Sequence, residues 1–225
     1  MGLWHNQTMK NDTLSDNNPR QRGRPRIAGS ALIARQTPVL LAAGRLLATR
    51  QSSEISVELL LQETGTSRPT FYRWFPQGLE QVFETLIAKA NADLVIRLVS
   101  EVAKCEQAEA RIRAGVRAYF DWGLEQGSVV TGIYREGFTT GSIAQRYRQQ
   151  SINVAIGLIE QQAQALGLPH IPLRVIETLV NWVETAGAVV FRHYPVSREE
   201  VDQQCEMTTH MFLAMLRSAA TTFKS

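Results

Sequence analysis

Between Gly65 and Phe75 the sequence Gly-Thr-Ser-Arg-Pro-Thr-Phe-Tyr-Arg-Trp-Phe packs two guanidinium groups, three aliphatic hydroxyls, a phenol and an indole into eleven residues. This is recognition chemistry rather than bond-breaking chemistry. Arg68 and Arg73 can each read guanine O6 and N7 with two hydrogen bonds. The hydroxyls of Ser67, Thr70 and Tyr72, with the free N–H groups of a helix start, suit phosphate oxygens. Elsewhere the chemistry is thin. The four histidines, His5, His170, His193 and His210, make no metal set, and Cys205 and His210 stand five apart, a spacing that does not stack on one helix face. No GxSxG, P-loop or GxGxxG occurs, and no two carboxylates are marked as a pair. The expectation is therefore no catalytic residues, no metal and no cofactor, and the chain is not read as an enzyme.

Two short helices and a tight turn must position these groups. Ser56 can cap the first helix, and Ile55 and Leu60 occupy the positions of a hydrophobic staple. Val57, Leu59, Leu60 and Leu61 suit a buried face, and Gly65 stands where the helix ends and φ must turn positive. Ser67 reads as the next N-cap, with Pro69 tolerated in the first turn. Phe71 and Phe75 share the inward face, which turns Ser67, Arg68, Pro69, Thr70, Tyr72 and Arg73 to the other faces. A helix of about eight residues is roughly 12 Å long, and the B-DNA major groove is about 12 Å wide. Spacing alone also fits an ordinary amphipathic helix pair with a solvated Arg/Tyr face.

The stretch Gly65 to Phe75 resembles the recognition-helix signature of the TetR (tetracycline-repressor) family of bacterial transcriptional regulators, with Gly65, Ser67, Thr70, Tyr72 and Phe75 at the family's spacing. Upstream, Val39 to Ala48, with its paired Ala42 and Ala43, is similar to the family's first helix. The likeness covers about residues 37–83. Three features depart from it: Gly78 stands where the family usually has a phosphate-anchoring Lys, Leu61 and Thr64 replace small residues, and Gln51 or a neighbour replaces a Gly. The resemblance implies an all-α chain with an N-terminal three-helix helix-turn-helix DNA-binding domain and a C-terminal helical ligand-binding and dimerisation domain. It implies a homodimer on a palindromic operator, acting as a repressor that a small-molecule effector releases. DNA-contacting residues are then Ser56, Thr66, Ser67, Arg68, Pro69, Thr70, Tyr72, Arg73 and Trp74, with Arg68, Thr70 and Arg73 near bases.

Charge is mild: 24 basic against 21 acidic residues, a net +3, so any nucleic-acid footprint must come from where charge sits. It concentrates in Arg20 to Arg26. There Arg22-Gly23-Arg24-Pro25, followed by Arg26, resembles an AT-hook, whose arginines enter the narrow minor groove of A·T-rich DNA. A solubilising tail with general phosphate attraction reads the same residues equally well. Residues 1–30, rich in Asn, Gln, Asp, Ser, Gly and Pro, read as a disordered basic arm. Residues 31–78 then form the helix-turn-helix domain and residues 79–225 the effector-binding and dimerisation domain.

The first folded helix is expected to start with Thr37 as N-cap and Pro38 at N1, carrying the stripe Val39, Leu40, Ala43, Leu46 and Leu47. Gly44 inside it points to close helix packing, and Thr49 to Glu54 reads as a polar loop. A long helix starts after Gly78 and runs to about Val102. Further helices fall at 106–125, 129–136, 142–166, 172–194 and 197–220, for about nine or ten in all. The stripes Val175, Ile176, Leu179, Val180, Val183, Ala186, Gly187 and Val190, and Val201, Cys205, Thr208, Phe212, Met215 and Leu216, are either the monomer's own core or, by the resemblance, the pairing face of a dimer.

Tyr119, Trp122, Tyr134 and Trp182, with Arg135 and Glu184, place polar and aromatic groups among apolar ones, as an effector pocket needs. Aromatics at this spacing equally serve a core. Two cysteines make no disulfide framework, no stretch is apolar enough for a membrane span, and no signal peptide is read at the N-terminus. The expected place is the bacterial cytoplasm, with the protein on the nucleoid when bound to DNA. The competing reading is a helical ligand-binding or catalytic protein that retains a vestigial DNA-binding unit.

Overall fold

In the computed structural model the described residues are 29–168 and 171–223. Among them the chain is helical throughout: α1 (Gly29–Thr49), α2 (Val57–Thr64), α3 (Arg68–Trp74), α4 (Leu79–Ala103), α5 (Ala108–Gln126), α6 (Val129–Gly137), α7 (Ile143–Ala165), α8 (Leu173–Val190) and α9 (Arg198–Thr222). Two 3-10 turns, Ser52–Glu54 and Phe191–His193, join neighbours. The segment read as a polar loop thus carries one such turn, closed by Gln51 N–H donating to the Glu54 carboxylate at 2.8 Å. The six helices expected after Gly78 fall where the periodicity puts them.

The start of α1 differs from its expected place. Pro38 lies inside the helix, which begins at Gly29. The Thr37 hydroxyl does not cap; it donates back to Ile33 O at 2.9 Å, one turn earlier. Proline forfeits one backbone hydrogen bond at an interior position. Here Gln36 Nε2 ties this part of α1 to Trp74 O at 2.9 Å, so tertiary contact outweighs the local stop signal.

Two apolar clusters hold the fold. The first joins Val39, Ala42, Ala43 and Leu47 of α1 to Leu60, Phe71 and Phe75, and closes on Val82, Phe83 and Ile87 of α4. The second runs from Ala90 of α4 through α5 to α9. α4 therefore belongs to both, its first turns in one cluster and the remainder in the other. α6 packs against α1 closely enough to require glycine: a Cβ at Gly44 would lie 2.8 Å from Val129, and one at Gly132 would strike the Leu47 carbonyl. The close packing expected of Gly44 is present.

The stripes named on α8 and α9 face inward. Ile176, Leu179, Val180, Val183, Ala186, Val201, Cys205, Phe212 and Leu216 are all buried in this chain's own second cluster. Of the residues in those stripes, Met215 is exposed, and with Met207 and Met211 it forms an outward row at helical spacing on α9; Val189 is exposed on α8. If a partner covers these helices, it meets that row rather than the stripes.

Candidate functional site

The α2–α3 unit is built as its residues dictate. Ser56 Oγ accepts from Leu59 N–H at 3.2 Å. Ile55 and Leu60, the staple pair, are buried, and Gly65 ends α2 at φ 64°. Phe71 and Phe75 are fully buried, their ring centroids 5.6 Å apart, and pin α3 to the first cluster. Burial of two phenyl rings contributes on the order of 1.5–3 kcal/mol each.

What faces outward is polar. Ser67, Arg68, Pro69, Tyr72 and Arg73 are exposed, Thr66, Thr70 and Trp74 are half-buried, and Ser56 is exposed at the start of α2. Ser67 occupies the N-cap position but makes no capping hydrogen bond; its hydroxyl donates to Thr70 Oγ1 at 3.0 Å. Arg73 Nη2 donates to the same oxygen at 3.3 Å. Thr66 Oγ1 accepts from Thr64 Oγ1 at 2.9 Å, which steadies the turn. Arg68 is held by Glu58 of α2 in an exposed ion pair, a partner the sequence pattern did not single out. Arg73 forms no ion pair among the described residues. Gly78, in the place of the family's Lys, adopts φ 71°, a backbone region that favours glycine, so the phosphate-anchoring side chain is replaced by a turn. Arg22, Arg24 and Arg26 lie outside the described residues.

The second feature is an internal cavity of ≈ 130 Å³ between α4, α5, α6, α7, α8 and α9. Tyr119, Trp122 and Tyr134 line it; Trp182 does not, standing half-buried on α8 outside the lining. Glu184 reaches the cavity, and Arg135 turns away to α1. Residues that sequence reasoning missed supply much of the wall: Asn91, Tyr147, Arg148, Ser151 and Gln162. On a sequence, Arg148 to Gln162 looks like the solvated face of a Gln-rich helix, and no local spacing marks it.

The cavity's polar groups are mostly paired to each other. Arg148 Nε donates to Glu184 Oε1 at 2.7 Å and Nη2 to Asn181 Oδ1 at 2.8 Å, with Phe138 under the guanidinium at 4.4 Å. The Tyr119 and Tyr134 hydroxyls share a 2.6 Å hydrogen bond, and Trp122 Nε1 donates to Ala90 O at 3.0 Å. Burial drives both tyrosine pKa values up, so both stay phenols at neutral pH.

α6 connects the two features. Tyr134 faces the cavity; the next two residues grip the far end of α1 and the 3-10 turn that follows it. Arg135 donates to the Leu47 and Arg50 carbonyls. The buried Glu136 carboxylate accepts from Ser52 N–H at 3.0 Å and Ser52 Oγ–H at 2.8 Å.

The fold is that of the TetR-family regulators. A tetR-family transcriptional regulator from Streptomyces coelicolor superposes with a TM-score of 0.65 at 21% identity, over 84% of this chain and 83% of that one. AibR, solved in complex with isovaleryl coenzyme A and operator DNA, superposes with a TM-score of 0.62 at 15% identity, over 79% of this chain and 97% of that one. In sequence, the chain is 35% identical over 106 residues to the HTH-type transcriptional regulator EthR of Mycolicibacterium smegmatis. That alignment covers 46% of each protein, so the chain spans about half the length of the curated relatives it matches. No protein-family model matches the chain. The likeness read in the sequence is thus carried by fold and by sequence relatives alike. Among the described residues, no helix is long and apolar enough to cross a membrane.

Proposed function

We propose that this chain is a DNA-binding transcriptional regulator of the TetR type that acts as a repressor and leaves its operator when a small molecule fills the internal cavity. The observation that carries the reading is the exposed face of α3, where Arg73, Tyr72 and Ser67 project from a helix fixed by Phe71 and Phe75. Arg68, Thr70 and Arg73 would approach bases. Ser56, Thr66, Ser67, Pro69, Tyr72 and Trp74 would lie along the backbone, where contacts set register rather than sequence. Arg22, Arg24 and Arg26 would add a minor-groove arm. Residues 31–78 form the reading unit and 79–225 the sensing and pairing body.

A second copy of the chain is the proposed partner, seated on Met207, Met211 and Met215 of α9 and on the outer face of α8, including Val189. Two-fold pairing places two α3 helices about 34–36 Å apart, or a multiple of it, to meet a palindrome. The likeness to the transcriptional regulator EthR supports the regulatory reading, and AibR's joint complex with isovaleryl coenzyme A and operator DNA supports a cavity that answers to a ligand.

Release follows from differential affinity. A ligand that favours one position of α6 shifts the population of that position. Because Tyr134 faces the cavity while Arg135 and Glu136 hold the α1 end, such a shift carries α1 and its reading unit with it. The test is a mobility-shift titration on duplexes from upstream of the protein's own gene. Retardation of one such duplex at concentrations that leave random duplex free is expected, and equal retardation of both overturns the reading.

A further inference from the structure

Gln162 of α7 has no counterpart among the paired groups of the cavity. The residue is 3% exposed, yet it lines the cavity. Its Nε2 donates to Leu158 O at 3.1 Å, one turn back on the same helix, which fixes the amide's orientation, because the reverse placement would set two oxygens against each other. Oε1 then has no hydrogen-bond partner among the described residues, a buried acceptor of the kind that costs free energy when left alone. Gln162 lies fourteen positions along α7 from Arg148, roughly 21 Å at 1.5 Å per residue. Between them the wall is largely apolar, with Leu98, Ile152 and Ile159 among its residues, and the hydroxyl of Ser151 is spent on Arg148 O.

We propose that the cavity takes an elongated apolar molecule ending in an uncharged N–H or O–H group, which donates to Gln162 Oε1. The Arg148–Glu184 pair and the Tyr119–Tyr134 pair satisfy each other and ask nothing of a ligand; Gln162 does. A molecule whose head only accepts leaves Oε1 as it was, and a carboxylate sets oxygen against it. The rival is an anionic head drawn to Arg111, which also lines the cavity and whose Nε is already committed to Cys105 O at 2.8 Å. This inference rests on reading the cavity as the effector site, though its test needs no DNA.

Hexanamide, methyl pentanoate and hexanoate have the same number of heavy atoms and differ at the head. Binding of each to the full chain, read by calorimetry at neutral pH, is expected to favour hexanamide over methyl pentanoate by about tenfold, with hexanoate weakest. In Gln162→Leu the amide preference is expected to vanish while methyl pentanoate binds at least as well, and the unliganded Tm stays level or rises because a lone acceptor has gone. The wild-type comparison needs no variant and stands even if Gln162→Leu folds poorly. Equal affinities in the wild type, hexanoate binding tightest, no binding of any of the three, or an amide preference that survives Gln162→Leu would each overturn the proposal. A chain that shows the amide preference but ignores every duplex would instead break the regulatory reading and leave this one standing.

Discussion

The α3 surface and the cavity differ in where their polar groups spend their hydrogen bonds. On α3, Arg73, Tyr72 and Ser67 stand in solvent, and the hydrogen bonds of Ser67 and Arg73 reach only Thr70, within one turn. In the cavity, Arg148, Glu184, Tyr119 and Tyr134 reach across helices and are paired almost completely. A surface built for a large charged partner can leave its donors in water, since water satisfies them at no cost. A buried site cannot, because an unpaired polar group there costs about 1–3 kcal/mol. On the proposed reading the unspent groups mean different things: those on α3 await a broad polyanion, and the buried acceptor at Gln162 awaits a small molecule's head.

The largest effect is expected at the support of α3. Phe71→Ala is expected to cost about 3–5 kcal/mol, read by urea unfolding, because the ring is fully buried. DNA binding should go with it. An unchanged midpoint would mean that α3 is not held as described. Next comes the α1–α6 contact. Gly132→Ala is expected to cost about 1–3 kcal/mol, since its Cβ meets the Leu47 backbone. Because that contact links the two regions, the response of DNA binding to ligand should weaken as well; an intact response would separate them.

Arg73→Ala should leave stability alone and lower affinity for the cognate duplex by about 1–3 kcal/mol, measured by anisotropy. Equal losses on cognate and random DNA would make Arg73 a phosphate contact. Glu58→Gln should do the reverse by a smaller amount: releasing Arg68 from an exposed pair is worth about 0.2–1 kcal/mol and should tighten DNA binding. Smallest is a chemical contrast. Burial pushes the Cys205 thiol up to about 11, so little thiolate exists at pH 8 and its alkylation should speed up as pH rises toward that value. Mass spectrometry of alkylated peptides should find Cys105, which is only half-buried, modified first.

The two regions were not equally legible. Ser56, Gly65, Phe71 and Phe75 announce α2 and α3 because caps, turns and i, i+4 pairs act within a few residues, and local rules decide them. Pro38 misled for the opposite reason: a residue that usually starts a helix is tolerated inside α1, where Gln36 reaches Trp74, thirty-eight residues on. The cavity needed six helices to assemble. Tyr119, Trp122 and Tyr134 were visible as aromatics with polar neighbours, but Trp182 carries the same local signature and stands outside the lining. Arg148 and Gln162 have no signature until α4, α5 and α8 close over them. Likewise the apolar periods of α8 and α9 located the helices but not which face a partner would meet, because a stripe that fills the monomer's core and one that pairs subunits look alike in sequence.

On the proposed reading, two copies of this chain present their α3 faces to one duplex. Sedimentation of the full chain with a duplex from upstream of its own gene, at low ionic strength, tests it directly. A single complex holding an even number of protomers is expected, falling apart as salt rises with a slope near 0.9 per phosphate neutralised. A monomer that sediments apart from every duplex offered would contradict it.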